Sequence, residues 1–235
     1  MLRKTIKFVD KSIDRIVIIV SLLFFLICIY AMIDAVMVYY NANDQSALKY
    51  KPQGKEDAAV LRELSKDAVA WLTIDDTTID YPVMQGKTNS DYLNKNPYGD
   101  YSLSGSIFLD SRCDGKFKDS YSLLYGHHME YGAMFGALDE FIKPEYFYTH
   151  RTGKLITTGG DEYGISFFAA VKAPGDEDII FDPPNTSNKK LLKFLKSKAT
   201  TFIDPQVSDH FIALSTCQSA ENIERMLVFG ILTPR

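Results

Sequence analysis

The fold is decided by a short stretch near the end of the chain, which reads ALSTC at residues 213–217. It completes an apolar run, and a second run rich in branched and aromatic residues follows at 226–232, so both are predicted to be buried strands. Cys217 ends the first strand and Arg225 precedes the second. If the two strands pair as neighbours, the thiol and the guanidinium face each other at one end of a sheet.

A pair of histidines follows a third apolar run. Residues 121–125 predict another strand, and the chain then continues with Gly126, His127 and His128. A cysteine attacks as its thiolate, and because its unperturbed pKa is about 8.5 it needs a nearby base or cation. Adjacent residues of an extended chain point to opposite faces, so only one of the two histidines can reach a given site. The residues alone do not choose between them.

Arg225 allows two interpretations. A strand-flanking arginine commonly forms a salt bridge, and Glu221 and Glu224 are close in sequence. In the functional interpretation, the guanidinium stabilises a carbonyl oxygen as it becomes an oxyanion. Cysteine, histidine and arginine together are the groups that a thiol acyl-transfer site requires.

These motifs, taken in order, resemble the sortases of Gram-positive bacteria, class B in particular. The resemblance covers the chain from about residue 71 to the C-terminus. Each short string is weak alone, and their ordered combination is specific. The strings are WLTI at 71–74, YPVMQG at 81–86, GSIFLD at 105–110, YGH at 125–127, MFG at 134–136 and LSTC at 214–217 with Arg225 downstream.

The resemblance implies a reaction and gives residues their roles. Cys217 attacks the carbonyl within a sorting motif near the C-terminus of a secreted protein, and an amine, classically of the peptidoglycan cross-bridge, releases the acyl-enzyme as a new amide. The histidine directly after Tyr-Gly, His127, acts as acid and base. Arg225 stabilises the oxyanion together with a backbone N–H after the cysteine.

Three further residues match class B substrate-groove residues by position: Asn89, Leu93 and Ser215. In the alternative interpretation they have no role in substrate binding: the polar ones are ordinary loop residues, and Leu93 is a core leucine. Gln218 stands where a relative has an acidic residue, which leaves the subsite preference open. We predict no cofactor and no metal, because neither a His-Glu-x-x-His nor a Cys-x-x-Cys spacing is present. Sortases of another class use calcium.

Many short strands, two or three helices and no repeated βαβ pattern predict a mainly antiparallel, barrel-like β domain. The resemblance implies a closed β-barrel of about eight strands with peripheral helices, preceded by one N-terminal transmembrane helix. We therefore divide the chain into a basic cytoplasmic tail (1–15), a transmembrane anchor (16–40), a linker and N-terminal helix (41–66) and a sortase catalytic domain (67–235).

Further elements follow from periodicity and turn residues. One of these elements, the helix predicted at 189–198 before the strand that leads to Cys217, is what the resemblance to class B sortases implies. The predicted strands are 71–74, 79–83, 107–109, 146–150, 154–158 and 163–172, and the predicted helices are 55–66, 91–95, 134–141 and 189–198.

The N-terminal segment has the length and composition of a membrane anchor. Residues 16–33 are interrupted only by Ser21, and at a rise of about 1.5 Å per residue they nearly cross a hydrocarbon core of about 30 Å. Five basic residues precede this run against two acidic ones, so the positive-inside rule places the N-terminus in the cytoplasm and the catalytic part on the extracellular face. A cleaved signal peptide is the alternative, but its apolar region is usually about 7 to 15 residues long.

Charge and cysteine content narrow the function classes. The net charge is −4, and the chain after residue 15 contains 21 basic and 28 acidic residues, which does not fit a nucleic-acid partner. Of three cysteines, only Cys113 and Cys217 lie outside the anchor, too few for a disulfide framework. An unpaired exported thiol indicates chemistry, and a disulfide between these two residues is the alternative.

The predicted partners are secreted proteins with a C-terminal sorting signal, a peptidoglycan amine on a lipid-linked precursor or cross-bridge, and the membrane. Other functions remain open at this point. An exported cysteine protease would pass the same acyl-enzyme to water, and a pilin-polymerising sortase would use a different amine. A noncatalytic domain that binds a cell-wall protein would tolerate serine at Cys217.

Overall fold

The computed structural model describes residues 2–42, 44–205, 210–216 and 224–235. The chain divides into two compact units, Met1–Asn41 and Ala42–Arg235. Most of the first unit is a single helix, α1, which spans Leu2–Ala42. Its segment Lys11–Tyr40 has 30 residues and contains an 18-residue window with a mean hydropathy of 3.1, and its apolar side chains are exposed. By length and composition, this helix is a candidate membrane span.

The second unit is a closed β-barrel. Eight strands pair in the order β1, β2, β3, β4, β8, β9, β6 and β5, and β5 pairs again with β1 to close the barrel, while β7 extends from β6. Only β2–β3 and β4–β8 are parallel pairs among the described strands. The strands are β1 Ala68–Ile74, β2 Asp80–Met84, β3 Ile107–Leu109, β4 Tyr121–Gly126, β5 Thr152–Thr157, β6 Glu162–Pro174, β7 Thr201–Phe202, β8 Phe211–Thr216 and β9 Glu224–Pro234. The predicted eight-stranded, mainly antiparallel barrel is confirmed.

Short helices surround the barrel. The longest of them, α5, has Leu191 and Leu195 on its buried side and its lysines in the solvent-facing positions, as predicted. The α-helices are α2 Leu61–Leu64, α3 Pro144–Thr149, α4 Asp178–Phe181 and α5 Asn188–Lys198. The 3-10 helices are Ser46–Tyr50, Ala58–Val60, Glu130–Gly132, Gly136–Ile142 and Pro183–Asn185.

The barrel wall is buried on both faces where the site lies. Alternate residues of β4 and β8, such as Leu124 and Leu214, pack into the barrel interior. Their neighbours Tyr125 and Ala213 pack outward into a second cluster that includes Leu195 of α5. Every residue of β4 and β8 is therefore buried, which explains why both strands are nearly continuous apolar runs in the sequence.

Three predicted elements differ from the structure. The aromatic content of residues 146–150 predicts a strand, but Pro144 at the first helical position begins α3 instead, and this helix places Phe147 in the barrel core. Residues 91–94 form turns and Lys95 forms a β-bridge with Tyr101, so this segment is not a helix. The helix predicted at 55–66 is shorter, because only Ala58–Val60 and Leu61–Leu64 are helical.

The core position of α3 makes a paired prediction. Phe147→Ala removes a fully buried ring and should lower the free energy of unfolding by about 3–5 kcal/mol, whereas Tyr148→Ala, at the next and 58 % exposed position, should change it little. Urea unfolding of the full chain in nonionic detergent, followed through the emission of the single tryptophan, Trp71, measures both. Equal losses would contradict the placement of α3.

Candidate active site

Three neighbouring strands, β4, β8 and β9, meet at one edge of the barrel. Gly126 at the end of β4 pairs in parallel with Thr216 at the end of β8. On the other side of β8, Ser215 pairs with Leu227 of β9 in antiparallel register. The N–H of Met226 also donates a hydrogen bond of 3.0 Å to the Thr216 hydroxyl, which fixes β9 against the end of β8.

This register places the predicted base and the predicted cation on either side of one strand end. His127 follows Gly126, and Arg225 lies near the start of β9. With about 4.8 Å between adjacent strands, their Cα atoms flank the end of β8 at a separation of about 10 Å. Cys217 is covalently attached to Thr216, the last residue of β8, and it lies outside the described residues together with Gln218.

His127 is oriented by a backbone carbonyl. Its Nε2 lies 2.7 Å from the oxygen of Leu93. Because a carbonyl oxygen only accepts, Nε2 carries the hydrogen, and Nδ1 is the nitrogen with an available lone pair when the ring is neutral. The backbone oxygen of His127 also accepts a hydrogen bond of 3.0 Å from the N–H of Phe135. Both the ring and the main chain of this residue are therefore fixed.

Two glycines allow the close contacts around His127. At Gly105, which has φ of +60°, a Cβ would collide with the Leu93 oxygen and would lie 3.0 Å from Cδ2 of His127. At Gly126, a Cβ would lie 2.8 Å from the ring of Phe135. Such distances are too short for real Cβ atoms, so glycine is needed at both positions.

The neighbouring His128 belongs to a different surface. Its Nε2 lies 2.7 Å from Oδ2 of Asp139, and both side chains are about half exposed. It pairs through a single β-bridge with Met134. The two adjacent histidines thus have separate partners, Leu93 for one and Asp139 for the other, as expected for neighbours on an extended chain.

Arg225 packs against aromatic rings. Its Cζ lies 4.7 Å from the ring centre of Phe181 and 5.8 Å from that of Tyr125. Its Nε is buried and, among the described residues, has no hydrogen-bond partner. No carboxylate in the described part of the chain forms an ion pair with this arginine, and of the two acidic neighbours, Glu224 is exposed and Glu221 lies outside that part. The salt-bridge interpretation therefore has no support here, and a desolvated donor N–H remains.

A buried carboxylate lies behind the aromatic rings. Asp110 has no solvent exposure and accepts hydrogen bonds from Arg112, Asn89 and the hydroxyl of Tyr125. Burial acts to raise the pKa of Asp110, but the hydrogen bonds from Arg112 and Asn89 outweigh it, so the pKa lies below its usual value. Burial, and then the nearby negative charge, raise the pKa of Tyr125. Asp110 therefore stays ionised and Tyr125 stays a neutral donor.

The family is shown by comparison with known proteins. The sortase domain model matches residues 72–233. Sortase B of Listeria monocytogenes is 32 % identical over 208 residues, which cover 86 % of this chain and 83 % of that protein. The chain belongs to the sortase family.

Solved structures place the chain with the class B sortases. A class B sortase of Streptococcus pyogenes described as involved in pilus biogenesis is 36 % identical, with a TM-score of 0.68 and coverage of 74 % of this chain and 96 % of that one. The Staphylococcus aureus sortase B–substrate complex is 27 % identical, with a TM-score of 0.70 and coverage of 80 % and 89 %. This sortase is a cysteine transpeptidase of the class B type.

The three residues predicted to bind substrate in this sortase have different surroundings. The amide of Asn89 donates a hydrogen bond of 2.9 Å to Asp110 and accepts one of 2.7 Å from the N–H of Ser111. Both of its polar ends therefore have partners within the protein. Leu93 packs partly buried against the outer cluster and offers its carbonyl to His127. Ser215 is fully buried, and its hydroxyl donates a hydrogen bond of 3.0 Å to the backbone oxygen of Thr216. Their role in substrate binding stays a prediction.

Cys113, which also lies outside the apolar helix α1, is a free and buried thiol, so the disulfide alternative is not formed. Burial raises its pKa to about 12, which keeps it protonated and unreactive at neutral pH. Within the described ranges, no three His, Cys, Asp or Glu side chains gather as a metal site requires. The expectation of no metal stays a prediction.

The packing of Arg225 against aromatic rings could not be predicted from the sequence. Phe181 lies more than forty residues before Arg225, in a segment without strand pattern, so no local spacing relates them. A local signal exists for the carboxylate, because Asp110-Ser111-Arg112 places opposite charges two residues apart directly after a buried strand.

Gly105 gives a sharp test of how His127 is positioned. Gly105→Ala should displace the Leu93 carbonyl and the His127 ring and should slow acylation of the enzyme by p-nitrophenyl acetate about tenfold, because a misplaced base loses proton-transfer efficiency. Gly99→Ala is the matched control, since Gly99 also has positive φ, +92°, but a methyl group at this position would have nothing within 4 Å. A similar loss in both variants would attribute the effect to backbone strain alone.

Proposed function

We propose that this protein is a membrane-anchored class B sortase that cleaves a C-terminal sorting motif of secreted proteins through an acyl-enzyme on Cys217 and transfers them to an amine of the cell wall. One observation carries the proposal: Arg225 lies near the start of β9, beside the strand end that leads to Cys217, and its buried Nε has no hydrogen-bond partner among the described residues. A desolvated, preorganised donor of this kind is what a developing oxyanion requires.

In the acylation step, Nδ1 of His127 accepts the thiol proton of Cys217, because Nε2 is occupied by the Leu93 oxygen. The thiolate adds to the scissile carbonyl carbon. The guanidinium of Arg225 donates an N–H to the carbonyl oxygen as the negative charge forms, and a backbone N–H after Cys217 adds a second donor. The imidazolium of His127 then protonates the leaving amine, and the thioester remains on Cys217.

In the second step, an incoming amine attacks the thioester. His127 takes a proton from the amine, and Arg225 stabilises the second oxyanion in the same way. Collapse of this intermediate releases the thiolate and forms a new amide. The amine belongs by this proposal to peptidoglycan, on a lipid-linked precursor or on the cross-bridge, and the acyl donors are secreted proteins with a sorting signal.

The substrate groove in this proposal lies at the edge of the barrel where β4 and β8 end. Leu93 would limit it on the side of His127, since its carbonyl contacts that ring and its side chain is partly exposed. Ser215 would form its floor. Asn89 would act through the Asp110 loop, to which both ends of its amide are hydrogen-bonded.

The proposed topology is single-pass. Residues 1–15 form the cytoplasmic tail, 16–40 the membrane anchor, 41–66 the linker with its short helices, and 67–235 the catalytic domain on the extracellular face. Support comes from the basic residues that precede the apolar run and from the apolar, exposed surface of Lys11–Tyr40. This arrangement would hold the enzyme next to substrates as they leave the membrane.

A second candidate is polymerisation of pilin subunits. It is favoured by the similarity to the Streptococcus pyogenes class B sortase described as involved in pilus biogenesis. The two candidates share the acyl-enzyme and differ in the amine, which would be a lysine side chain of the next subunit in a polymer.

The proposal is tested with the full chain in detergent, incubated with a pool of sorting-signal peptides, with and without triglycine or a lysine-containing pilin peptide, and analysed by mass spectrometry. We expect an acyl adduct on Cys217 that becomes an amide product only when an amine is present, and no adduct in Cys217→Ala. The amine that reacts distinguishes wall anchoring from polymerisation.

Two results would contradict the proposal. Release of the adduct only to water would make the protein a hydrolase. No adduct with any peptide, together with a Cys217 that does not react with iodoacetamide, would make it a binding domain. Cys113 serves as an internal control, because a buried thiol with a pKa of about 12 should stay unmodified until the chain is unfolded.

A further inference from the structure

The ion pair between Asp110 and Arg112 is connected to the supports of Arg225. Nε and Nη2 of Arg112 donate to the two carboxylate oxygens of Asp110 at 2.9 and 2.8 Å, a bidentate geometry. Asp110 directly follows β3 and is fully buried, while the Arg112 side chain is 43 % exposed. The guanidinium therefore reaches from the barrel wall to its outer surface.

The same guanidinium holds the end of α4. Its Nη2 also donates a hydrogen bond of 2.7 Å to the backbone oxygen of Phe181, and its Nη1 donates one of 3.3 Å to the carboxylate of Asp182. The helix α4 has only four residues, too few to be stable without tertiary contacts. Tyr121 fixes the preceding carbonyl, of Ile180, through a hydrogen bond of 3.1 Å from its hydroxyl. Arg112 thus fixes the backbone carbonyl of the last residue of α4.

Both rings beside Arg225 are connected to this ion pair. The rings of Phe181 and Tyr125 stack with centres 6.5 Å apart and planes 13° apart. The hydroxyl of Tyr125 donates a hydrogen bond of 3.2 Å to Oδ2 of Asp110, and the backbone oxygen of Phe181 accepts one from Arg112. Asp110 therefore fixes one ring directly and the other through Arg112, so the aromatic surface under Arg225 is built as one unit.

We propose that Arg112 is a positioning residue for catalysis: by holding Phe181 against the Arg225 guanidinium, it keeps that guanidinium in place beside the end of β8, where the oxyanion forms. The inference rests on the oxyanion role proposed above for Arg225. Arg225 itself has no ion-pair partner in the described part of the chain, so its guanidinium is restrained by packing. It lies against the two rings and against Gly175, where a Cβ would lie 2.7 Å from its Nε. A donor that is displaced or free to rotate loses most of its advantage in an oxyanion site.

The test separates carbonyl chemistry from thiol reactivity. In acylation by p-nitrophenyl acetate, the Cys217 thiolate adds to the ester carbonyl, an oxyanion forms and p-nitrophenolate leaves. Alkylation of Cys217 by iodoacetamide is a displacement at carbon, with loss of iodide, and forms no oxyanion. A residue that positions Arg225 affects the first rate and not the second, whereas general damage to the fold lowers both.

Arg112→Lys is the informative variant. Lysine keeps a positive charge beside buried Asp110, so folding is maintained, but a single ammonium cannot reproduce the bidentate pair and also reach the Phe181 carbonyl. We expect acylation of the full chain in detergent to slow about tenfold and alkylation to change less than twofold, relative to the wild type. Arg112→Gln should show the same split. Arg151→Gln is the matched control, because Arg151 also donates to a backbone carbonyl, that of Phe167 at 3.1 Å, and should leave both rates unchanged.

A double-variant cycle with Phe181→Leu completes the test. If Arg112 acts by placing the Phe181 ring, Phe181→Leu alone should slow acylation, and adding Arg112→Lys should slow it no further. Multiplicative effects, a wild-type rate in either single variant, or equal loss of acylation and alkylation would overturn the positioning role. Arg225→Ala is measured alongside: if it acylates at the wild-type rate, the proposed function of Arg225 fails instead.

Discussion

The parallel pairing of β4 with β8 is the constraint on which the site depends. It sets Gly126 level with Thr216, so that His127 follows one strand end directly beside the strand end that leads to Cys217. A shift of one residue would turn either side chain to the opposite face of the sheet. The register is fixed because both faces of these strands are buried, one in the barrel interior and one under α5.

Much of the fold could be predicted because this barrel wall has two buried faces. Continuous apolar runs at 121–125, 211–214 and 226–232 are recognisable without knowledge of their partners, and all three are strands. The strand predicted at 146–150 is wrong, since its aromatic residues suit a strand, while the effect of Pro144 on the local backbone favours a helix. Periodicity over five residues does not distinguish a short buried helix from a strand.

The site was only partly accessible from the sequence. Adjacency showed that His127 and His128 must separate, and the structure gives them the partners Leu93 and Asp139. The proposal that His127 is the base comes from the resemblance, since no local pattern reveals that the Leu93 carbonyl lies against one ring. The aromatic and ionic support of Arg225 joins segments near residues 110, 125 and 181, and such contacts arise only when the barrel closes.

The central claim is that His127, and not His128, acts on the thiol of Cys217, and it is tested most directly by the rate of alkylation at neutral pH. The rate at which iodoacetamide modifies the Cys217 peptide is measured by mass spectrometry for the wild type, His127→Asn and His128→Asn. The account predicts the wild-type rate in His128→Asn and a rate about tenfold lower in His127→Asn, because that variant lacks the base that accepts the thiol proton. Equal rates in the wild type and His127→Asn would contradict it.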